Sequence, residues 1–358
     1  MLVAVVLGTR PEIIKLAPVL HELARWRIGV ALVHTGQHYS YELDRVFFEQ
    51  FGLATPTHNL EIGSGSHGYQ TGRMLERLEA ILTAARPEWA LVHGDTNSTV
   101  AGALAAAKLN IPVAHVEAGL RSYDRTMPEE VNRVIADHLA ALLFAPTAIA
   151  QANLAAEGIQ AGVALTGNTI VDAVNYQRAR FTGRPLAALG LEAGGYLLLT
   201  LHRQENTNDR GRLGRIIAGL RQGVAAVGLP LVAPLHPRTR RVLAEFGLER
   251  EFMALPGVRV TEPVDYVTSL ELQAAASAVL TDSGGLQEEA CILGTPCVTL
   301  RDNTERPETL AIGANVLTGD APERIAACVA EMAGKRGAWP NPFGDGMAAG
   351  RIVAALAG

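Results

Sequence analysis

Apolar runs of strand length alternate with amphipathic, helix-length segments along the whole chain. In the first half, these runs predict strands over 2–7, 30–34, 89–93, 112–116 and 142–145. Each predicted strand is followed by a segment long enough for a helix that crosses back over the sheet, as in βαβ units. The first half is therefore predicted to form a parallel sheet covered by helices.

The same pattern starts again in the second half, with predicted strands over 196–201, 231–234, 258–260, 278–281 and 297–300. A chain of 358 residues also exceeds what one hydrophobic core usually holds. We therefore expect an α/β protein with two Rossmann-like domains, one spanning 1–170 and the other 171–344. A last helix within 345–358 is expected to pack back on the first domain.

The composition is that of a globular protein, with 48% apolar and 19% charged residues. A net charge of -5 gives no general basic surface, so we expect no nucleic-acid partner. The apolar start of the chain is one strand long before Arg10 and Glu12, which predicts neither a signal peptide nor a membrane span and hence a cytoplasmic protein. The three cysteines match no zinc spacing, and we expect no metal.

Residues 63–68 read Gly-Ser-Gly-Ser-His-Gly, which matches the glycine pattern of a dinucleotide-binding turn. That turn requires a buried strand leading directly into the glycines, whereas the residues before them are polar and include Pro56. We therefore expect a loop that precedes a helix near Tyr69, and no NAD cofactor.

Three acidic side chains are candidate catalytic groups. Asp95 follows the predicted strand 89–93, and Glu117 follows the next one. Open α/β sheets bind ligands at the carboxyl ends of their strands, so both residues are predicted to lie at a site. Glu129 falls in the first turn of a helix predicted to begin at Pro128, where acids are also common for electrostatic reasons. Helix capping and ion pairs, for example with Arg121, are the alternative explanation for Asp95 and Glu117.

Small and basic residues predict two places for phosphate. The first strand ends in Gly8, and the amides of the helix that follows could bind phosphate with charge added by Arg10 and Lys15. Solvated Arg10 and Lys15 side chains are the alternative. The stronger signal is Ser283-Gly284-Gly285, where a buried strand breaks into a loop of small residues before a helix.

Further polar residues of the second half follow predicted strands. His202 and His236 each lie after a strand with an arginine close by, which indicates a diphosphate neighbourhood. Glu289, further along the helix after the Ser-Gly-Gly loop, could accept the paired hydroxyls of a ribose. Arg301 and Arg306 flank another strand end, where a solvated loop is the alternative.

Together these motifs resemble the non-hydrolysing UDP-N-acetylglucosamine 2-epimerase family. The matching stretches run in order from about residue 7 to about residue 320: GTRPEIIKLAP, TGQH, HGDTNST, HVEAGLR, MPEEVNR, TGNTIVDA, HRQEN, DSGGLQEEA and RDNTERPETL. The resemblance implies a GT-B-like fold, in which two Rossmann-type domains close over a UDP-N-acetylhexosamine in an interdomain cleft. It also implies a homodimer without a cofactor.

The resemblance assigns roles residue by residue. The catalytic group it implies consists of Lys15, Asp95, Glu117, Glu129 and His202. The UDP-binding and substrate-binding group it implies consists of Arg10, His38, Arg133, Arg203, His236, Ser283, Gly284, Gly285, Glu289 and Arg306.

The implied reaction interconverts UDP-N-acetylglucosamine and UDP-N-acetylmannosamine. UDP leaves by anti elimination to give 2-acetamidoglucal, and it then adds back with the opposite configuration at C2. A second candidate substrate is a UDP-2,3-diacetamido sugar, because residues 66–72 together with Asn97 and Ser98 resemble a branch acting on such sugars. A GT-B glycosyltransferase or a catalytically silent UDP-sugar sensor could also carry these nucleotide-binding motifs.

Overall fold

The computed structural model describes residues 1–37, 41–337 and 339–358. The chain forms two compact units. The first unit contains Met1–Tyr176 together with Phe343–Gly358, and the second contains Gln177–Pro342. Elements are numbered in chain order across both units.

The first unit is built on a parallel sheet of seven strands in the order β3-β2-β1-β4-β5-β6-β7. Its strands are β1 (Leu2–Leu7), β2 (Gly29–His34), β3 (His58–Asn59), β4 (Trp89–His93), β5 (Val113–Val116), β6 (Leu142–Ala145) and β7 (Val163–Leu165). Alternate residues of β1 enter different apolar clusters, with Val5 in one and Val6 in the other. Both faces of this sheet are therefore covered, as parallel sheets require.

Helices cover the sheet of the first unit. They are α1 (Arg10–Arg25), α2 (Tyr41–Phe51), α3 (His67–Ala85), α4 (Asn97–Lys108), α5 (Pro128–Leu139), α6 (Ala148–Ala156), α7 (Thr169–Arg178), whose last two residues are counted with the second unit, and α17 (Ala348–Ala357). Ile352, Val353 and Leu356 of α17 belong to the same apolar cluster as Val5 of β1. The last helix of the chain is thus part of the core of the first unit.

The second unit has a parallel sheet of six strands in the order β10-β9-β8-β11-β12-β13. Its strands are β8 (Leu197–Thr200), β9 (Leu231–Pro234), β10 (Val258–Thr261), β11 (Ala278–Thr281), β12 (Cys297–Thr299) and β13 (Asn315–Leu317). Its helices are α8 (Arg184–Ala188), α9 (Gln204–Thr207), α10 (Arg210–Val227), α11 (Pro237–Glu245), α12 (Glu249–Met253), α13 (Tyr266–Ala275), α14 (Gly284–Leu293), α15 (Pro307–Ala311) and α16 (Pro322–Met332). No helix in the described part of the chain is long and apolar enough to span a membrane.

The strand order of both sheets reverses direction at one point. In the first sheet the reversal lies between β1 and β4, and in the second it lies between β8 and β11. Loops on either side of such a reversal diverge at the carboxyl edge and leave a crevice, which is where ligands bind in open α/β sheets. The two predicted Rossmann-like parallel sheets are confirmed, and the turns after these four strands are the places where a site is expected.

The structure differs from the sequence-based prediction in short elements. The pattern does not predict β3, β7 and β13, because two or three residues at or near a sheet edge leave no periodicity to detect. The short helix α8, which begins at Arg184, is not predicted either. Pro185 favours this helix, since its fixed φ and missing N–H suit the first turn of a helix.

Replacing Gly119 with alanine should destabilise the first unit more than the same change at Gly158. Their φ angles of +82° and +81° are left-handed, so each substitution costs about 1–2 kcal/mol of backbone strain. A Cβ at Gly119 would lie 2.3 Å from the Ala150 carbonyl oxygen, whereas no described atom lies within 4 Å of a Cβ at Gly158. Overpacking should add roughly 1–3 kcal/mol at Gly119. Urea denaturation of both variants measures the difference, and equal losses would contradict it.

Candidate active site

The turns after β4 and β5 carry two of the three predicted acids. These strands are neighbours, with His93 paired to Val116, so the turns that follow them start side by side. Asp95 lies two residues beyond β4, and Glu117 directly follows β5. Glu117 has a left-handed φ of +68°, which costs a non-glycine residue roughly 1–2 kcal/mol. Strain of this kind persists where surrounding contacts fix the residue, often at functional sites.

Side chains from three segments hold the Glu117 carboxylate. Lys15 Nζ on α1 lies 2.5 Å from Glu117 Oε1, and Asn168 Nδ2 donates to the same oxygen at 3.2 Å. His93 Nε2 lies 3.3 Å from Glu117 Oε2. Burial lowers the pKa of His93 to about 3, so its ring is neutral. All four side chains are buried. Lys15 is therefore an internal counter-ion, and its interpretation as a solvated lysine is wrong.

The Asp95 carboxylate is more open than that of Glu117, and its pKa is raised above the ordinary value of an aspartate. Its side chain is 32% exposed and accepts a hydrogen bond from Arg133 on α5. Burial raises the pKa of Asp95, Arg133 opposes this, and the charges of Glu117 and Glu129 raise it further. Because Glu117 and Glu129 both act on the Asp95 carboxyl, the structure brings the three predicted acids into one neighbourhood.

The adjacent acids Glu129 and Glu130 have different environments. Glu130 is buried, and its carboxylate accepts hydrogen bonds from the backbone N–H groups of Ser122 and Tyr123 at 2.9 and 3.0 Å. Arg133 Nη1 donates to Glu130 as well, at 2.9 Å. Glu129 is exposed instead. Glu130 therefore fixes the loop before α5, while Glu129 can reach a ligand.

The start of α1 is a poorer phosphate site than the sequence suggests. Glu12 is buried, and its Oε2 accepts from Gly8 N and from Thr9 Oγ1, both at 2.9 Å. Burial raises the pKa of Glu12, against the opposing effect of hydrogen bonds from Thr96, Gly8 and Thr9. A carboxyl group at this turn takes the position that an anion would use.

Arg10 contacts side chains of the first unit. Its Nε lies 3.7 Å from Asp44 Oδ1, and its guanidinium lies 5.6 Å from the centre of the Phe47 ring. The Arg10 side chain is 42% exposed, so it can still meet a ligand. His38, which the family resemblance also assigns to substrate binding, lies outside the described residues.

The Ser-Gly-Gly turn of the second unit connects β11 to α14. Ser283 is the N-cap of α14, and within the described residues its side chain makes no capping hydrogen bond to the helix. The first amides of α14 are thus open to an external acceptor. A Cβ at Gly284 would meet Glu305 Oε2 and Arg203 Nη2 only at 3.8 and 3.9 Å, which is ordinary contact. Packing within the protein therefore does not require a glycine at position 284. The space beside Gly284 is open enough for a bound group.

Asp282 orients His202. Asp282 is buried and accepts from the backbone N–H of His202 at 3.0 Å and of Arg203 at 2.9 Å. Its Oδ1 also lies 3.2 Å from His202 Nδ1. Burial raises the pKa of Asp282, but these contacts outweigh it and the pKa is lowered. The His202 side chain is 47% exposed, which leaves Nε2 as the nitrogen that can exchange a proton with a ligand.

Three further predicted residues of the second unit have protein partners. Gln273 Nε2 donates to Glu289 Oε2 at 2.7 Å. Arg306 Nε lies 2.6 Å from Glu288 Oε1, which is buried, so its charge is partly compensated within the protein. His236 is exposed and caps α11 by accepting from Arg238 N at 3.2 Å through Nδ1.

The sequence motifs do not single out Asn168 and Asp282 as members of these sites. In the sequence, Asn168 appears only within the matching stretch TGNTIVDA, and Asp282 only within the stretch DSGGLQEEA. Both residues follow strands, so their position at the carboxyl edge of a sheet is the sequence feature that could have identified them as site residues. Within residues 1–37, 41–337 and 339–358, no three histidine, cysteine, aspartate or glutamate side chains are grouped to hold a metal ion.

One Rossmann-like unit carries carboxylates at its strand ends together with an internal lysine. The other carries a helix N-terminus lined by glycine. Together these features define a nucleotide-sugar enzyme of the two-domain α/β class. The family model described as UDP-N-acetylglucosamine 2-epimerase matches residues 21–357. The chain belongs to this family, and the resemblance inferred from its motifs is confirmed.

Relatives match along nearly the full length. The UDP-N-acetylglucosamine 2-epimerase of Methanocaldococcus jannaschii is 48% identical over 99% of both chains. A crystal structure of the Methanocaldococcus jannaschii UDP-GlcNAc 2-epimerase in complex with UDP-GlcNAc and UDP superposes with a TM-score of 0.90, covering 100% of this chain and 99% of that one at 48% identity. The UDP-2,3-diacetamido-2,3-dideoxy-D-glucuronate 2-epimerase of Pseudomonas aeruginosa is 42% identical, covering 100% of this chain and 99% of that protein.

Proposed function

We propose that this enzyme interconverts UDP-N-acetylglucosamine and UDP-N-acetylmannosamine by inverting C2. The observation that carries the proposal is the group of Asp95, Glu117 and Glu129 with the counter-ion Lys15. The open amides of α14 support it, since they offer a place for a diphosphate. The relative at 48% identity whose structure holds UDP-GlcNAc and UDP supports the choice of sugar nucleotide.

The proposed mechanism begins with loss of UDP. As the C1–O bond breaks, C1 gains positive character and the C2 proton becomes acidic enough for a carboxylate to remove. The electron pair of the C2–H bond forms the C1–C2 double bond of 2-acetamidoglucal, and the bridging oxygen leaves with UDP. A proton then adds to C2 from the opposite face, and UDP returns to C1.

The environments of the carboxylates suggest separate roles. Asp95 is partly exposed, and burial raises its pKa, so it suits proton exchange with C2. Glu117 is buried and held by Lys15, Asn168 and His93, so it suits a fixed negative charge near the developing positive charge at C1. In the second unit, Asp282 orients the His202 ring, so we assign to His202 the protonation of the departing diphosphate.

Proton NMR in heavy water tests this reaction. Incubation with UDP-N-acetylglucosamine should produce signals of UDP-N-acetylmannosamine and should replace the C2 proton of both sugars by deuterium. Release of free N-acetylmannosamine with UDP would indicate a hydrolysing enzyme. Absence of exchange with this substrate and with its diacetamido analogue would refute the proposal.

A UDP-2,3-diacetamido sugar is the second candidate substrate. The Pseudomonas aeruginosa relative at 42% identity bears the name of such an epimerase. The residues behind the sequence resemblance also meet in the structure. His67 Nδ1 lies 3.2 Å from Asn97 Nδ2, and that amide donates to Gln70 Oε1 at 3.0 Å. Competition between the two sugar nucleotides in one NMR sample gives the ratio of kcat/KM values and identifies the better substrate.

We also infer a cytoplasmic homodimer that supplies a cell-envelope polysaccharide pathway. The homodimer and the pathway rest on the family alone, and the location rests on the sequence-based prediction. Light scattering of the purified protein tests the dimer, which a monomeric mass at working concentration would contradict.

Gly285→Ala should weaken UDP binding while leaving stability unchanged. Gly285 is exposed at the start of α14, and a Cβ there would meet Ser283 Oγ at an ordinary 3.9 Å, so the protein can accommodate it. The methyl group would occupy the space proposed for the diphosphate, and we expect affinity for UDP to fall about tenfold or more. Calorimetric titration measures the affinity. Gly214→Ala in α10, where no described atom lies within 4 Å of the new Cβ, is the control and should bind UDP normally.

A further inference from the structure

His115 is a buried histidine of β5 that the proposed mechanism does not use. Its Nε2 lies 2.8 Å from the carbonyl oxygen of Gly94, and its Nδ1 lies 2.7 Å from Asp137 Oδ1. The ring therefore connects the Gly94 carbonyl to the Asp137 carboxyl group through its two nitrogens. The side chain is 0% exposed and cannot touch a substrate.

Asp137 on α5 connects this histidine to a second turn. Its Oδ2 accepts from the backbone N–H of Gly119 at 3.2 Å and from Arg121 Nη1 at 2.7 Å. Arg121 in turn makes two hydrogen bonds of 2.7 Å to Glu157. Burial raises the pKa of Asp137, but His115 and Arg121 outweigh it and the pKa is lowered. The carboxylate is thus ionised and fully occupied by donors.

These hydrogen bonds reach every segment that carries a proposed catalytic acid. Gly94 directly precedes Asp95 in the turn after β4, and Gly119 lies two residues after Glu117 in the turn after β5. Asp137 belongs to the helix whose first turn contains Glu129. One buried carboxylate therefore links both turns to α5, directly at Gly119 and through His115 at Gly94.

We propose that Asp137 and His115 are positioning residues that set the relative placement of Asp95, Glu117 and Glu129. The inference rests on the proposed epimerase function, because it assigns these three acids to the chemistry. Displacement of a reacting group by about 1 Å can cost roughly 10²-fold in rate. Displacement of these acids should therefore lower turnover, whereas the groups that bind UDP remain in place.

The test uses Asp137→Asn and His115→Gln in the full-length protein. For each variant, kcat and KM for epimerisation, UDP affinity by calorimetry and the thermal midpoint are measured, with assays at least ten degrees below that midpoint. We expect kcat to fall about 30-fold or more, with KM and UDP affinity changed less than about threefold. The matched control is Glu157→Gln, which alters only the outer partner of Arg121 and should keep kcat within about threefold.

The double variant separates positioning from general destabilisation. Because both residues act through one chain of hydrogen bonds, the double variant should lose no more turnover than the worse single variant. Losses that multiply, or a folded Asp137→Asn protein with unchanged kcat, would overturn the proposal. If Asp137→Asn does not fold, the kcat of His115→Gln tests the proposal by the same criterion. If neither variant folds, the kcat of Arg121→Lys tests it instead. A wild-type protein that exchanges no deuterium would refute the epimerase function instead.

Discussion

Asp95→Asn is expected to lower turnover by roughly 10³-fold, because the amide cannot exchange a proton with C2. The substitution keeps the size of the side chain, and Arg133 can still donate to its remaining oxygen. UDP affinity and the thermal midpoint should therefore change little. Single-turnover kinetics of epimerisation and the rate of deuterium incorporation at C2 both measure the effect, and the two should fall together.

The control for Asp95→Asn is Glu79→Gln, which makes the same carboxylate-to-amide change on an exposed position of α3. It should leave both rates unchanged. If Asp95→Asn retained more than about a tenth of the wild-type rate, Asp95 would not be the base, and the same experiment on Glu117→Gln and Glu129→Gln would identify which carboxylate is.

His202→Gln is expected to cost roughly 10²–10³-fold in kcat, since glutamine can donate a hydrogen bond to the diphosphate but cannot deliver a proton. The residue is half exposed and its backbone N–H remains available to Asp282, so the fold of the second unit should persist. Steady-state kinetics give kcat, and calorimetry gives the affinity for UDP.

A purely binding role for His202 predicts a different result. If the histidine only binds the diphosphate, His202→Gln would raise KM and weaken UDP binding while kcat stays near the wild-type value. The same change at His58, an exposed histidine on the short edge strand β3, serves as the control and should alter neither constant.

The long strands could be predicted from sequence because each is an uninterrupted apolar run. Five of them, β1, β4, β6, β9 and β11, have the predicted bounds. The edge strand β3 could not be predicted, because it consists of the polar pair His58 and Asn59. Its place in the sheet depends on pairing with β2, which is a long-range contact.

The positions of the candidate acids could be predicted, but their partners could not. Topology alone places Asp95 and Glu117 at one sheet edge. The pairing of Lys15 with Glu117 joins residues 102 positions apart and depends on where α1 crosses the sheet. The different environments of Glu129 and Glu130 follow from about 100° of helical rotation between neighbours, which becomes informative only once the buried face of α5 is known.

The first unit is formed from two separate stretches of the chain, and this affects the order of its folding during synthesis. Residues up to Tyr176 are translated before the second unit, whereas Ile352, Val353 and Leu356 of α17, which complete their apolar core, are translated after it. The whole second unit is translated in between, as one continuous segment. The unit that carries Asp95, Glu117 and Glu129 is thus begun before the second unit and completed after it, so that its apolar core lacks α17 while the second unit is translated.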